Sequence, residues 1–174
     1  MKRCAPVLAF VLMCAVGPAF AGSVGVYGTY WDGGDADPAY GAGARVGFDF
    51  LNWLELEFHG TWYQDLEDDA ATQPIQVTAT PIDGGLKFNL LPESKFNVYV
   101  GGGVTYYLVD SNFGDADNET SYYGEAGIEF GGEHAKLFVE ALWRDLDVTI
   151  EDTLGDSDAD FSGVAGNVGL NWRW

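Results

Sequence analysis

His59 and His134 are the only histidines of the chain, so acid–base chemistry near neutral pH falls first on them. His59 follows Glu55 and Glu57 at steps of two residues with no Ser beside it, and His134 sits in the turn Gly131-Gly132-Glu133-His134. Nucleophilic acyl transfer needs a hydroxyl, a base and an acid side by side. Neither histidine offers that set, so no catalytic residue is assigned and the chain is not expected to be an enzyme. A second candidate is a Gly-Asp-x-Asp step that recurs at Gly34 to Asp37, Gly114 to Asp117 and Gly155 to Asp158. Clustered carboxylates suit Ca²⁺ or Mg²⁺. The twelve-residue Ca²⁺ loop nevertheless fails after Asp156, Asp158 and Asp160, because Phe161 stands where Gly is needed and Asn167 where Glu is needed. These read as solvated turn residues, Asp being favoured by turn chemistry; no metal site and no cofactor is assigned.

The third set is larger. Arg45, Asp49, Glu55, Glu57, His59, Asp83, Lys87, Glu125, Glu129, Glu140, Arg144 and Arg173 recur at even spacings inside apolar stretches. An even spacing puts side chains on one face of a strand, so the elements that carry them decide what they do.

Apolar residues recur with period two, broken every ten to fifteen residues by turn-forming clusters. The pattern predicts eight strands: Ser23 to Trp31, Tyr40 to Phe50, Trp53 to Tyr63, Ile75 to Leu90, Lys95 to Leu108, Ser121 to Phe130, Lys136 to Asp145, and Phe161 to Trp174. In the last, Val164, Val168, Leu170, Trp172 and Trp174 face one way and Ala165, Asn167, Asn171 and Arg173 the other. The fourth changes parity between Ala79 and Ile82, with Pro81 at the switch, and a bulge is expected there. Connections alternate short (Leu51-Asn52, Leu91 to Ser94, Gly131 to Ala135) and long (Asp32 to Ala39, Gln64 to Pro74, Val109 to Thr120, Leu146 to Asp160). The long ones carry seventeen Asp and Glu and no Lys or Arg, so they are expected to be solvated and mobile loops.

Periodicity alone leaves open whether the apolar face points out into lipid or in, as in a soluble ligand-carrying barrel. Position along the strands favours lipid. Tyr30, Tyr40, Trp62, Tyr106, Tyr122 and Trp143 gather toward the long connections, and Phe50, Phe88, Phe96, Phe130 and Trp174 toward the short ones. Two aromatic girdles belong to a barrel crossing two membrane interfaces. A midplane Arg or Lys facing lipid would cost about 2 to 4 kcal/mol, so Arg45, Glu55, Glu57, His59, Lys87, Glu125, Glu129, Glu140, Arg144 and Arg173 are expected inside as an ion-pair network, with Arg45, Glu57, Glu140 and Arg144 foremost among its members.

The first residues fit export. Lys2 and Arg3 precede an apolar run from Ala5 to Val16, closing on Ala19-Phe20-Ala21, so residues 1–21 read as a signal peptide and 22–174 as one barrel domain. Cys14 lacks the small residues a lipidation signal would need before it; with Cys4 also in the signal, the mature chain has no disulfide. Removing Lys2 and Arg3 takes the formal net charge from -19 to -21, which argues against nucleic acid as a partner.

With these features the chain resembles the small eight-stranded outer-membrane β-barrels that include the OmpA membrane domain and the OmpX type. The carriers are the signal, the Gly-rich aromatic stretch Asn97 to Val109, Phe138 to Arg144, and the closing Gly166 to Trp174. The resemblance implies an all-β, antiparallel up-and-down transmembrane barrel, a monomer in contact with outer-membrane lipid and lipopolysaccharide. It also implies that Val168, Leu170, Trp172 and Trp174 form the closing signal read by the barrel-assembly machinery. Larger members append a peptidoglycan-binding domain, and with the chain closing at Trp174 that function is not expected. A structural or surface-interaction role follows, with a narrow channel and a lipid A-modifying enzyme as alternatives. A softer expectation keeps the acidic loops as holders of divalent ions bridging to lipopolysaccharide phosphates.

Overall fold

A computed structural model describes residues 21–32, 38–64, 66–67, 76–92, 94–111, 120–145, 147–150, 157–160 and 162–174. The signal read at 1–21 lies almost wholly outside the described residues. So do the Gly-Asp-x-Asp steps, apart from 157–158.

Eight long strands form the wall: β1 (Gly22–Asp32), β2 (Ala39–Leu51), β3 (Leu54–Gln64), β4 (Gln76–Asn89), β5 (Phe96–Ser111), β6 (Thr120–Gly131), β7 (Ala135–Arg144) and β8 (Gly163–Arg173). Each pairs antiparallel with its sequence neighbours, and β1 pairs with β8, so the sheet closes on itself with no free edge. Closure matters because no water in a bilayer core would satisfy an open edge. At the seam the Gly22 and Trp174 backbones exchange hydrogen bonds of 3.3 and 3.2 Å. No helix among the described residues is long and apolar enough to cross a membrane.

Side chains alternate along every strand, as a pleated backbone demands. In β7 the pattern is strict: Lys136, Phe138, Glu140, Leu142 and Arg144 are buried, and Leu137, Val139 and Trp143 are exposed. All eleven girdle aromatics expected on the outer face are exposed there, and Trp53 and Trp172 join them. Inside, four aromatic side chains lie opposite a glycine on the adjoining strand: Tyr27 and Gly43, Tyr99 and Gly127, Phe138 and Gly169, Tyr123 and Gly103. A Cβ at Gly43, Gly127 or Gly169 would collide with the facing ring. The missing side chains therefore make room for the rings that fill the interior.

Three sequence expectations need correction. No shift of register occurs between β4 and β5 at Pro81, which pairs with Tyr107 between Thr80↔Leu108 and Ile82↔Tyr106. The irregularity lies in the pairing with β3 instead, which stops at Gly60↔Ile82, the next pair on that side being Leu66↔Val77, one residue out of step. A proline cannot donate to a ladder, so the lapse falls beside it. The β2–β3 hairpin has its own shift between Asp49 and Leu51. Secondly, the expected loop from Gln64 to Pro74 holds a paired segment, Leu66–Glu67, and that from Leu146 to Asp160 holds a hairpin of Asp147–Ile150 with Ser157–Asp160. Val148, Thr149 and Ile150 are β-branched and favour a strand even among acids. Thirdly, β5 runs to Ser111 and not to Leu108.

Candidate functional site

In an antiparallel wall with polar residues on alternate positions, every inward charge projects into one narrow lumen. Arg45, Glu55, Glu57, His59, Lys87, Glu125, Glu129, Glu140 and Arg144 are all buried there, and the Arg173 side chain is 16 % exposed. A charge in so dry a place is stable only when paired and hydrogen-bonded.

At mid-height Arg45 reaches from β2 across the lumen. Its guanidinium lies 3.5 Å from Glu57 on β3, 2.9 Å from Glu129 on β6 and 3.3 Å from Glu140 on β7. It also stacks 3.6 Å from the centre of the Phe138 ring, a cation–π contact. Glu140 accepts further hydrogen bonds from the Tyr99 hydroxyl at 2.8 Å and the Asn167 amide at 2.7 Å.

Toward the short turns, the Lys87 ammonium sits between Glu57 and Glu55, 2.9 Å from the latter. Arg173 and Ser23 complete the Glu55 carboxylate at 3.1 and 2.6 Å. Asn97 donates to Asn89 below them at 2.7 Å, and Lys136 lies 3.9 Å from Glu129.

Toward the long connections, Arg144 does not join Arg45, Glu57 and Glu140. It forks onto Asp83, with Nε to Oδ1 at 3.2 Å and the terminal nitrogen to Oδ2 at 2.6 Å, and donates to the Tyr63 hydroxyl at 3.1 Å. The four foremost members are thus divided between a cluster of Arg45, Glu57 and Glu140 and a separate Arg144–Asp83 pair. Which side chains meet across a closed wall depends on the height of each strand, and sequence spacing does not carry it. Above this pair Trp31, Tyr63, Tyr107, Tyr123 and Leu142 pack as an aromatic cap.

His59 hydrogen-bonds Glu57 through Nε2, and its Nδ1 faces Asp83 at 3.9 Å. Ser23, buried in the lumen, serves Glu55 and not His59. Glu125 lies 3.9 Å from His59, and neither of its carboxylate oxygens has a hydrogen-bond partner.

Asp83, Lys136, Tyr99 and the asparagines 89, 97, 167 and 171 belong to this interior although the network read from sequence omits them. Asp83 carries the right parity; the buried tyrosines carry no such signal, because tyrosine suits either face of such a wall. Val168, Leu170, Trp172 and Trp174 stand on the outer surface, 40 to 58 % exposed.

A closed antiparallel wall with an apolar, aromatic-girdled exterior and a charged interior defines a transmembrane β-barrel. The chain belongs to the family described as outer membrane protein beta-barrel domain, which matches residues 7–173, and it is an outer-membrane protein. Among solved structures it is similar to OprG of Pseudomonas aeruginosa, with TM-score 0.72 and 14 % identity over 90 % of this chain and 96 % of that one. Neisserial surface protein A is similar at TM-score 0.59 and 10 % identity, over 90 % and 96 %. The N-terminal barrel of Pseudomonas aeruginosa OprF is similar at TM-score 0.53 and 12 % identity, over 87 % and 97 %. These likenesses concern the fold alone. No curated protein matches the chain in sequence.

Proposed function

We propose that the protein is a structural and surface-interaction component of the outer membrane, with an interior plugged by its own side chains. The observation that carries this reading is Arg45. One guanidinium, bonded to carboxylates on β3, β6 and β7 and stacked on Phe138, spans the lumen at mid-height. An eight-stranded barrel is just wide enough for such side chains to fill it, and the aromatic cap adds a second closure. In this reading the girdles contact membrane lipid and lipopolysaccharide, Val168, Leu170, Trp172 and Trp174 are read by the barrel-assembly machinery, and the barrel works as a monomer. The acidic loops supply the outward-facing surface.

Reconstitution of the folded protein in planar bilayers tests the plug. No unitary conductance is expected. A steady conductance that rises when Arg45 is replaced by Ala would make the protein a narrow channel and overturn the reading.

A further inference from the structure

Six carboxylates are buried in the described lumen, Glu55, Glu57, Asp83, Glu125, Glu129 and Glu140, against four buried Lys and Arg side chains, Arg45, Lys87, Lys136 and Arg144. At the short-turn end half-buried Asp49 and Arg173 cancel one another. With His59 neutral, two negative charges remain unmatched in a space where an unpaired charge is costly, and one remains if His59 carries a proton.

The imbalance has an address. One ligand atom each from Glu57, His59, Glu125 and Glu140 lie within 4.8 Å of one another, and all four residues are buried. The Glu125 side chain is 1 % exposed, points at this cluster, and leaves both oxygens without a hydrogen bond. Glu57 and Glu140 are held from behind by Lys87, Arg45, Tyr99 and Asn167. His59 turns Nε2 inward, and its Nδ1 lies 3.9 Å from Asp83 without a hydrogen bond.

We propose that Glu57, His59, Glu125 and Glu140 form a luminal site for one divalent first-row transition ion. Three carboxylate oxygens and an imidazole suit Zn²⁺ and its neighbours. Ca²⁺ would want more oxygens, and copper(I) would want sulfur. The ion supplies the two missing positive charges and ties β3 to β6 and β7 across the lumen. Because every ligand is buried, the site is loaded as the barrel closes.

The test is refolding of the full mature barrel from denaturant into detergent, with Zn²⁺ or with chelator, followed by exhaustive dialysis and metal analysis. About one Zn²⁺ per chain is expected to survive dialysis after metal refolding. Glu125→Gln and His59→Gln are each expected to weaken retention by about 100-fold or more, since even groups behind a metal ligand contribute about 10- to 100-fold. Co²⁺ in place of Zn²⁺ is expected to give visible d–d bands that vanish in His59→Gln. This separates the lumen from the acidic loops, which contain no imidazole. If a variant does not fold, X-ray absorption of the loaded wild type still reads whether a nitrogen ligand is present. Retention no greater than after chelator refolding, equal retention in the variants, or an all-oxygen coordination shell would overturn the proposal. Protons would then neutralise the surplus carboxylates.

Discussion

The residue with most at stake is Arg45, because its neighbours are carboxylates that were desolvated on its account. Replacing it by Ala strands Glu57, Glu129 and Glu140 in the lumen. Breaking a buried pair from one side typically costs about 3 to 5 kcal/mol, and Arg45→Ala is expected to lower barrel stability by about that much in urea titrations followed by tryptophan fluorescence. Arg173→Ala is expected to cost less, because that side chain is 16 % exposed and solvent reaches Glu55 when it leaves. Equal losses would mean that the lumen is wetter than its burial indicates. At this scale the sequence was half legible. Parity alone put Arg45, Glu57, Lys87 and Glu140 inside, because one misplaced charge in lipid outweighs any local preference. Partners across the lumen depend on how closure and stagger set strand heights, so the Arg144–Asp83 pair could not be read from spacing.

Between elements, the decisive contacts are the rings seated opposite glycines. Gly43 faces the Tyr27 ring, whereas Gly28 is exposed on the outer face, with nothing within 4 Å of the place a methyl group would take. Gly43→Ala must displace a buried tyrosine that donates to or accepts from Thr61 at 2.8 Å, and overpacking of this kind costs about 1 to 3 kcal/mol. Gly28→Ala is expected to be neutral within about 0.5 kcal/mol, as surface changes are. The same urea titration distinguishes them, and similar values for both would show that the rings have room to move. Strand existence and facing were legible from period-two patterning. Strand ends were not, as the Asp147–Ile150 hairpin shows: acidic composition argued for an open loop, while β-branched residues extended the pairing. The parity change around Pro81 did mark an irregularity, though on the β3 side of the strand and not in its pairing with β5.

As a whole molecule the barrel has neither disulfide nor, between its eight strands, a free edge. Its cohesion is the closed ladder plus the buried network, and both must fail together. Cooperative closure predicts that unboiled samples run at a different apparent mass from boiled ones in SDS gels, the compact band persisting until heat opens the seam between β1 and β8. A single band at all temperatures would show that the wall does not hold in detergent. Up-and-down topology and membrane placement were legible because loop length alternates and aromatics cluster at both strand ends. The charged lumen was legible only in outline.

The ring and glycine pairs also bear on how such a wall can go wrong. A slip of one residue is self-correcting, since it would turn Arg45 and Lys87 outward. A slip of two keeps every face correct and is the more dangerous error. It would set Tyr99 against Glu125 or Glu129 in place of Gly127, and in one direction Tyr27 against Arg45. Near-miss arrangements that seat these rings against larger side chains are expected to close less readily, so the glycine notches favour the native register over walls that hydrophobic patterning alone would accept.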